Sequence, residues 1–469
     1  MKSSMTTKEN ELSHSRSVAL TAGGATRTSR AEAWKVNFET HTPILGLPFI
    51  LVLIYIFLEY GRPYSLIPIG VIRPAFWVSL LLGVFYLRAP GKNLKDPTIF
   101  TIIVFILIMA KSIPTAFNQH WAFKVTLGMA IYLISILLPI TVFVVGNKRL
   151  RLFLIAWVCI HILTALLAIR HGGKGIGGIL ADENDFALAI NMVLPYAYFM
   201  YIETRSSLKK TFYILAMLIY VVACMYTMSR GGFLGLLTVG AFILLCTPHK
   251  MRNIAVLVLF GLSVTLFAPA NYKSEIASIF HSDTLERDER QGRIYLWKIG
   301  FKIFLDRPIM GVGPGSYKYA VGSYEDRSDT HRLHSGKQAH SVYFTLLPEL
   351  GFPGALVFGY LIYHLLSLFI FVRRLDRQKT HLFTKTLFTK DEIVTLNQRI
   401  RFCNNAVHAV AGSAIGFLSS GIFLSVLYYP HIWITLVLSV AVKRTLINDL
   451  EEANVFSRVP GYNWKLLHN

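Results

Sequence analysis

Apolar residues run along this chain in long stretches separated by short connectors, and the stretches fall at about 44–59, 64–87, 98–113, 122–145, 150–169, 185–202, 211–228, 231–247, 253–268, 352–372, 405–427 and 430–443. A bilayer core of about 30 Å takes roughly 20 apolar residues as a helix, so each stretch predicts one span. In lipid the backbone must satisfy its own hydrogen bonds, which leaves helices or a closed barrel, and the period-two alternation of barrel strands is absent. The pattern predicts an all-α, polytopic membrane protein of about 12 transmembrane helices. Tyr428-Tyr-Pro-His431 reads either as a tight turn between the last two spans or as a kink within one.

The one long break in this pattern runs from Asn271 to Gly351. It opens with charges from Asp283 to Arg293 and continues into a helical pattern from Ile294 to Asp306. There Ile294, Trp297, Phe301 and Phe304 share one face, and Lys298, Lys302 and Asp306 share another. Such a helix suits the membrane interface. A glycine-rich turn, Gly311 to Gly315, and the segment Gln338 to Gly351 follow. The expected organisation is a flexible tail over 1–42, spans over 43–268, a loop with short helices over 269–351, spans over 352–450 with a basic loop at 373–402, and a tail over 451–469.

Composition excludes a soluble chain: 54% of the 469 residues are hydrophobic and only 16% charged. A net charge of +21 would suggest nucleic acid in a soluble protein. Here the cations concentrate in alternate connectors, at Arg88/Lys92/Lys95, Lys148/Arg149/Arg151, Arg205/Lys209/Lys210, His249/Lys250/Arg252 and Arg373 to Arg401. By the positive-inside rule that side is cytoplasmic, and the long loop, residues 170–185 and Ser229-Arg-Gly-Gly232 face the opposite side, outside the cell membrane. The expected partners therefore include membrane lipids and exclude nucleic acid. Cys159, Cys224, Cys246 and Cys403 lie in or beside apolar runs without metal-ligand spacing, and read as packing residues.

Candidate chemistry gathers on the loop side. Arg230 opens a helix, where the dipole and unpaired N–H groups are already positive. It reads either as a cation snorkelling to the interface or, with the close approach that Gly231 and Gly232 allow, as part of a phosphate site. Arg170, His171 and Lys174 add positive charge to the same face. Asp182, Asn184 and Asp185 suit a divalent ion, but capping of the helix that begins near Asp185 is the simpler reading, and no metal is expected. Arg287, Arg290 and Arg293 alternate with Glu286, Asp288 and Glu289, as a self-paired surface would. Gly311-Val-Gly-Pro-Gly315 lacks the Lys and Ser/Thr of a nucleotide loop and reads as a turn that positions its neighbours. His340, at the mouth of an apolar helical run, is either an exposed or capping histidine or a general base. Glu349 either orients a partner or marks a helix end.

Together Ser229-Arg-Gly-Gly232, Arg293-x-x-x-Trp-x-x-Gly300, Asp306-Arg-Pro-Ile-Met-Gly-Val-Gly-Pro-Gly-Ser316 and the stretch from His340 to Gly351 resemble the O-antigen ligase and polymerase superfamily. Ala181-Asp-Glu-Asn-Asp-Phe-Ala-Leu-Ala-Ile190 is similar to its exosortase-associated O-glycosylation ligase branch. The resemblance covers roughly residues 150 to 370. It implies an enzyme of the bacterial inner membrane that transfers a glycan from undecaprenyl diphosphate to a lipid or protein hydroxyl acceptor at the periplasmic face, without cofactor or metal. Carried over by motif, Arg230 binds the diphosphate and His340 activates the acceptor. Arg287, Arg290 and Arg293 are further diphosphate contacts, and Arg170 and Glu349 complete the expected substrate-binding set. The family often carries Asn after the loop histidine, where this chain has Ser341.

The rival enzyme is a polymerase of the same superfamily, whose acceptor is another lipid-linked glycan. The rival non-enzyme is a transporter or lipid-carrier flippase, which needs ionisable groups at mid-membrane depth, and His161 and His364 stand nearest to that requirement. No internal repeat is visible, and the long loop follows the ninth span instead of dividing two halves.

Overall fold

The computed structural model describes residues 45–63, 73–175, 177, 181–247, 251, 254–255, 258, 284–325, 336–383 and 387–468, without the side chains of 284–291. Among the described residues every regular element is helical. Many helix starts are written locally. Pro48, Pro74, Pro97 and Pro430 fill first-turn positions, where a missing N–H costs nothing. Asp96, Asn118, Asp182 and Ser229 cap their helices through side-chain oxygens, and Thr389 with Glu392 forms a reciprocal capping box.

In chain order the helices are α1 (Leu47–Ile56), α2 (Pro74–Arg88), α3 (Pro97–Ser112), α4 (Gln119–Tyr132), α5 (Leu138–Phe143), α6 (Asn147–Arg170), α7 (Glu183–Glu203), α8 (Ser207–Tyr226), α9 (Arg230–Cys246), α10 (Thr284–Asp306), α11 (Tyr317–Tyr324), α12 (Tyr343–Leu382), α13 (Lys390–Ser420) and α14 (Pro430–Glu452). A π-turn over Leu133–Leu137 joins α4 to α5 as one rod. Among the described residues eight helices are long and apolar enough to cross a membrane, and Leu47–Gly61, Pro74–Arg88 and Arg230–Cys246 are shorter apolar helices. The chain is thus a multi-pass membrane protein. The span expected at 253–268 falls almost wholly outside the described residues. The segment Tyr428-Tyr-Pro-His431 marks a junction between two helices, since α13 ends at Ser420, Tyr429 is the N-cap of α14, and Pro430 and His431 open that helix.

The centre of the bundle is α7, buried continuously from Phe186 to Met200, with α9 and α13 against it. Small residues set this closeness. A Cβ on Gly416 would lie 2.8 Å from the Asn191 carbonyl oxygen, and one on Gly235 would lie 2.0 Å from Ser420 Oγ. Asn191 bridges the three helices, donating to the Gly232 carbonyl at 2.8 Å and to Ser420 Oγ at 3.0 Å.

Outside this bundle a second small core joins Leu296, Ile299 and Ile303 of α10 to Val312, Tyr317, Val321 and Ala339. This leaves most of the stripe expected at the membrane interface facing outward. Ile294 and Phe301 point outward, at 43% and 51% exposure, and only Trp297 of that face turns in. The inward face is the purely aliphatic one, because it has the turn at Val312 and the α11 residues to pack against. The outward stripe of Ile294, Phe301 and Leu305, flanked by Lys298 and Lys302, keeps the character of an interfacial helix.

The first turns of α12 begin well before the expected span at 352. At Gly351 the backbone leaves the helix (φ 64°, ψ −166°), a conformation that glycine tolerates, and Pro353 sits in the first turn of the resumed helix. The glycine-rich turn docks on this break: Val312 N–H donates to the Pro348 carbonyl at 2.8 Å, Gly313 N–H to the Glu349 carbonyl at 3.0 Å, and Phe352 N–H to the Pro308 carbonyl at 2.7 Å.

Candidate functional site

The start of α9 is fastened to the start of α7. Ser229 caps α9 by accepting from Gly232 N–H at 3.0 Å, and its hydroxyl donates to Asn184 Oδ1 at 2.7 Å. Asp182 caps α7 by accepting from the Asn184 and Asp185 N–H groups at 2.8 and 3.4 Å. Two helix N-termini, each with unsatisfied N–H groups and a positive dipole end, therefore stand side by side, with half-buried Arg230 at one of them. Arg170 is exposed at the end of α6, and the following turn seats on the end of α8, where a Cβ on Gly173 would lie 1.9 Å from the Tyr226 carbonyl oxygen. Arg170 and Arg230 accordingly share one end of the bundle.

His340 reaches the same end from the loop. Its backbone is left-handed (φ 48°), a conformation unusual for a side chain with a Cβ. Bonds on both sides hold it there. Before it, Trp297 donates to the Ala339 carbonyl at 2.9 Å; after it, Val342 N–H donates to the Gly421 carbonyl at 2.8 Å. Trp297 is itself stacked on Phe344 with ring centroids 5.2 Å apart. Phe423, one turn beyond Gly421, lies 3.4 Å from where a Cβ on Gly231 would stand, and 6.5 Å from Trp297 between ring centroids. The turn at 421–423 is thus wedged between the helix of Arg230 and the strap that carries His340.

Burial on its protein side pushes the His340 pKa below the ordinary histidine value; the Arg293 charge adds to this, Asp182 opposes it, and Lys337 contributes in the lowering direction. The same interactions place Arg293 of α10 and the Asp182 cap within electrostatic reach of the imidazole. Arg287 and Arg290 lie on α10 in the stretch whose side chains are outside the described residues. Ser341 is buried, so the hydroxyl that stands where the family often has Asn faces the protein interior.

Glu349 meets a different set of partners. It is buried, and its carboxylate accepts from Gly315 N–H at 2.8 Å, Tyr317 N–H at 3.1 Å and Tyr428 O–H at 2.8 Å. It fastens the glycine-rich turn and the turn before α14 to α12. Within the bundle His161 is paired. Its Nδ1 bonds to the Trp157 carbonyl at 2.8 Å, and its Nε2 lies 3.3 Å from Nε2 of His431.

Sequence reasoning missed Asp182 as a neighbour of His340, and Trp297 and Phe423 as its supports. It also missed Arg307, which donates to the Thr115 carbonyl at 3.0 Å and lies over the Phe117 ring, tying α10 to the α3–α4 connection. The available signal was the Trp297 indole N–H, a donor that needs a partner wherever the ring is partly buried.

The family model described as O-antigen ligase matches residues 215–359, which run from within α8 to within α12. The match covers about a third of the chain, and it supports a relationship to the O-antigen ligase superfamily and a membrane function of the ligase or polymerase kind, with a glycosyltransferase-like activity. Arg230, the arginines of α10, His340 and Glu349 all fall inside the matched stretch, whereas Arg170 and Asp182 precede it. No curated protein matches the chain.

Proposed function

We propose that the protein transfers a glycan from undecaprenyl diphosphate to a hydroxyl acceptor, at the periplasmic face of the bacterial inner membrane. The observation that carries this reading is the clamp on His340, which holds an imidazole within electrostatic reach of Arg293 at the end of the bundle where α9 presents Arg230. In the proposed reaction the acceptor oxygen attacks the anomeric carbon from the face opposite the diphosphate. The hydroxyl proton passes to neutral His340, the bond from carbon to diphosphate oxygen breaks with its electron pair, and the anomeric centre is inverted. Cationic side chains and exposed N–H groups meet the charge that develops on the leaving group. A histidine held below its ordinary pKa stays neutral near pH 7, as a base must.

The test is donor binding and transfer rate in nanodiscs with a defined lipid-linked glycan. His340→Ala should bind donor normally while transfer falls by about 10²–10⁴, the range of a lost general base. Arg230→Lys keeps one charge but loses the planar fork, and should remain impaired. Transfer at the wild-type rate by His340→Ala would remove the mechanism. The glycans of a deletion strain identify the acceptor: long chains accumulating on the carrier indicate ligation, and loss of long chains indicates polymerisation.

A further inference from the structure

At the end of the bundle opposite His340, the last turns of α7, α9 and α12 and the adjoining part of α13 surround a cavity of about 290 Å³. Its walls are charged. Lys379 Nζ lies 2.6 Å from one Asp376 oxygen, and Asn404 donates to the other at 3.2 Å. Across the cavity Arg401 donates to the Ile202 carbonyl at 3.0 Å and lies 3.7 Å from Glu203, whose carboxylate also takes Arg151 at 3.1 Å and Asn405 at 2.8 Å. Arg373 and Arg377, on α12 outside the lining, stand within electrostatic reach of His408. Five cations (Arg151, Arg373, Arg377, Lys379 and Arg401) thus gather around two carboxylates, Glu203 and Asp376. The surplus is positive.

The cavity also offers acceptors. Asn404 Oδ1 is buried with no hydrogen-bond partner among the described residues. His408 lies with Nδ1 2.7 Å from the Asn404 carbonyl; donating there leaves Nε2 as an acceptor. A ligand matching both features carries negative charge together with O–H or N–H donors. Behind the lining residue His408 lie Phe369, with ring centroids 4.8 Å apart, and then Phe242, 6.0 Å further by the same measure, and near these rings Leu245 and Ile370 are 80% and 58% exposed. An apolar surface therefore leads from the charged mouth along α9 and α12, which favours an amphipathic ligand over a soluble anion.

We propose that this cavity binds the headgroup of an anionic glycerophospholipid whose headgroup bears hydroxyls. Its phosphodiester meets Lys379 and Arg401 within the field of Arg373, its hydroxyls face Asn404 and His408, and its acyl chains lie along Leu245 and Ile370. Basic pockets at the ends of transmembrane helices are suited to such lipids, each nearby cation strengthening binding about fivefold. The site is independent of the reaction at the other end.

The experiment titrates the purified full-length chain in neutral detergent with phosphatidylglycerol or phosphatidylcholine, reading bound lipid by native mass spectrometry and melting temperature. Phosphatidylglycerol should be retained preferentially and raise the melting temperature. Lys379→Gln and Arg373→Gln should each weaken it about fivefold, with melting in phosphatidylcholine unchanged as the control for folding. Asn404→Leu should narrow the preference for phosphatidylglycerol over phosphatidic acid. Equal retention of the charged and zwitterionic lipids, or unchanged binding in both charge variants, overturns the proposal. So does displacement of phosphatidylglycerol by free glycerol phosphate at similar concentration, which would make the site one for a soluble anion.

Discussion

The indole N–H of Trp297 bonds to the carbonyl of Ala339 at 2.9 Å, so the helix that carries Arg293 is fastened to the peptide immediately before His340. Trp297→Phe should keep the stacking on Phe344 and lose only that bond. A lost neutral hydrogen bond is worth about 1 kcal/mol, or roughly fivefold. We expect transfer to fall by about that factor while donor binding is unchanged. An unaltered rate would show that the clamp on the Val342 side suffices.

The direction of the His340 pKa fixes the pH behaviour. Burial and Arg293 both favour the neutral imidazole, so the basic form should already dominate below the ordinary histidine range, and transfer should fall only as pH drops through that lowered value. Arg293→Gln removes a cation and should move the acid limb of the rate profile to higher pH. Asp182→Asn removes an anion and should move it lower. Profiles of kcat/KM against pH for the two variants check this, and shifts of the same sign would contradict it.

Glu349 supplies the clearest stability prediction. Its carboxylate accepts three hydrogen bonds in a buried position. Glu349→Gln turns part of that acceptor into a donor facing other donors, and Glu349→Leu leaves all three unmet. Each unsatisfied buried group costs about 1–3 kcal/mol. Melting temperature should fall in the order wild type, Gln, Leu, with the loss of transfer following the loss of folded protein. A fully folded Leu variant that cannot bind donor would instead give Glu349 a direct part in substrate binding.

Sidedness can be read from single cysteines placed at exposed serines in a background lacking the native ones. Ser323 lies on α11 near the His340 end, and Ser207 at the start of α8 near the basic end. The basic connectors predict labelling of Ser323→Cys by an impermeant reagent in intact spheroplasts, and protection of Ser207→Cys. The reverse pattern would put the proposed site in the cytoplasm.

The helical architecture was legible because bilayer thickness forces long apolar runs, and prolines and capping side chains mark where helices begin. The glycine-rich turn was legible too, for lack of any nucleotide-loop lysine after it. The inward face of α10 was not. Both of its faces carry apolar residues, and only the presence of Val312, Tyr317 and Ala339 on one side decides between them. The start of α12 was obscured because Pro348, Gly351 and Pro353 all read as breakers, whereas a single glycine absorbs the break. The approach of Asp182 to His340 had no local signal, since it depends on α13 and the turn at 421–423 holding distant segments together.

The break at Gly351 also bears on how the molecule answers its solvent. As one 40-residue element, α12 would be about 60 Å long, roughly twice the hydrocarbon thickness, and it joins the strap of His340 to the cluster of Arg373 and Lys379. A rod of that reach must change its tilt when the bilayer thins or thickens. The docked turn at Gly311–Gly315 pins the short segment before Gly351, whereas the long segment packs along α3 and α13 and would lean together with them. Hydrophobic mismatch would then be absorbed at one glycine, and the imidazole would keep its station while the membrane around it varies.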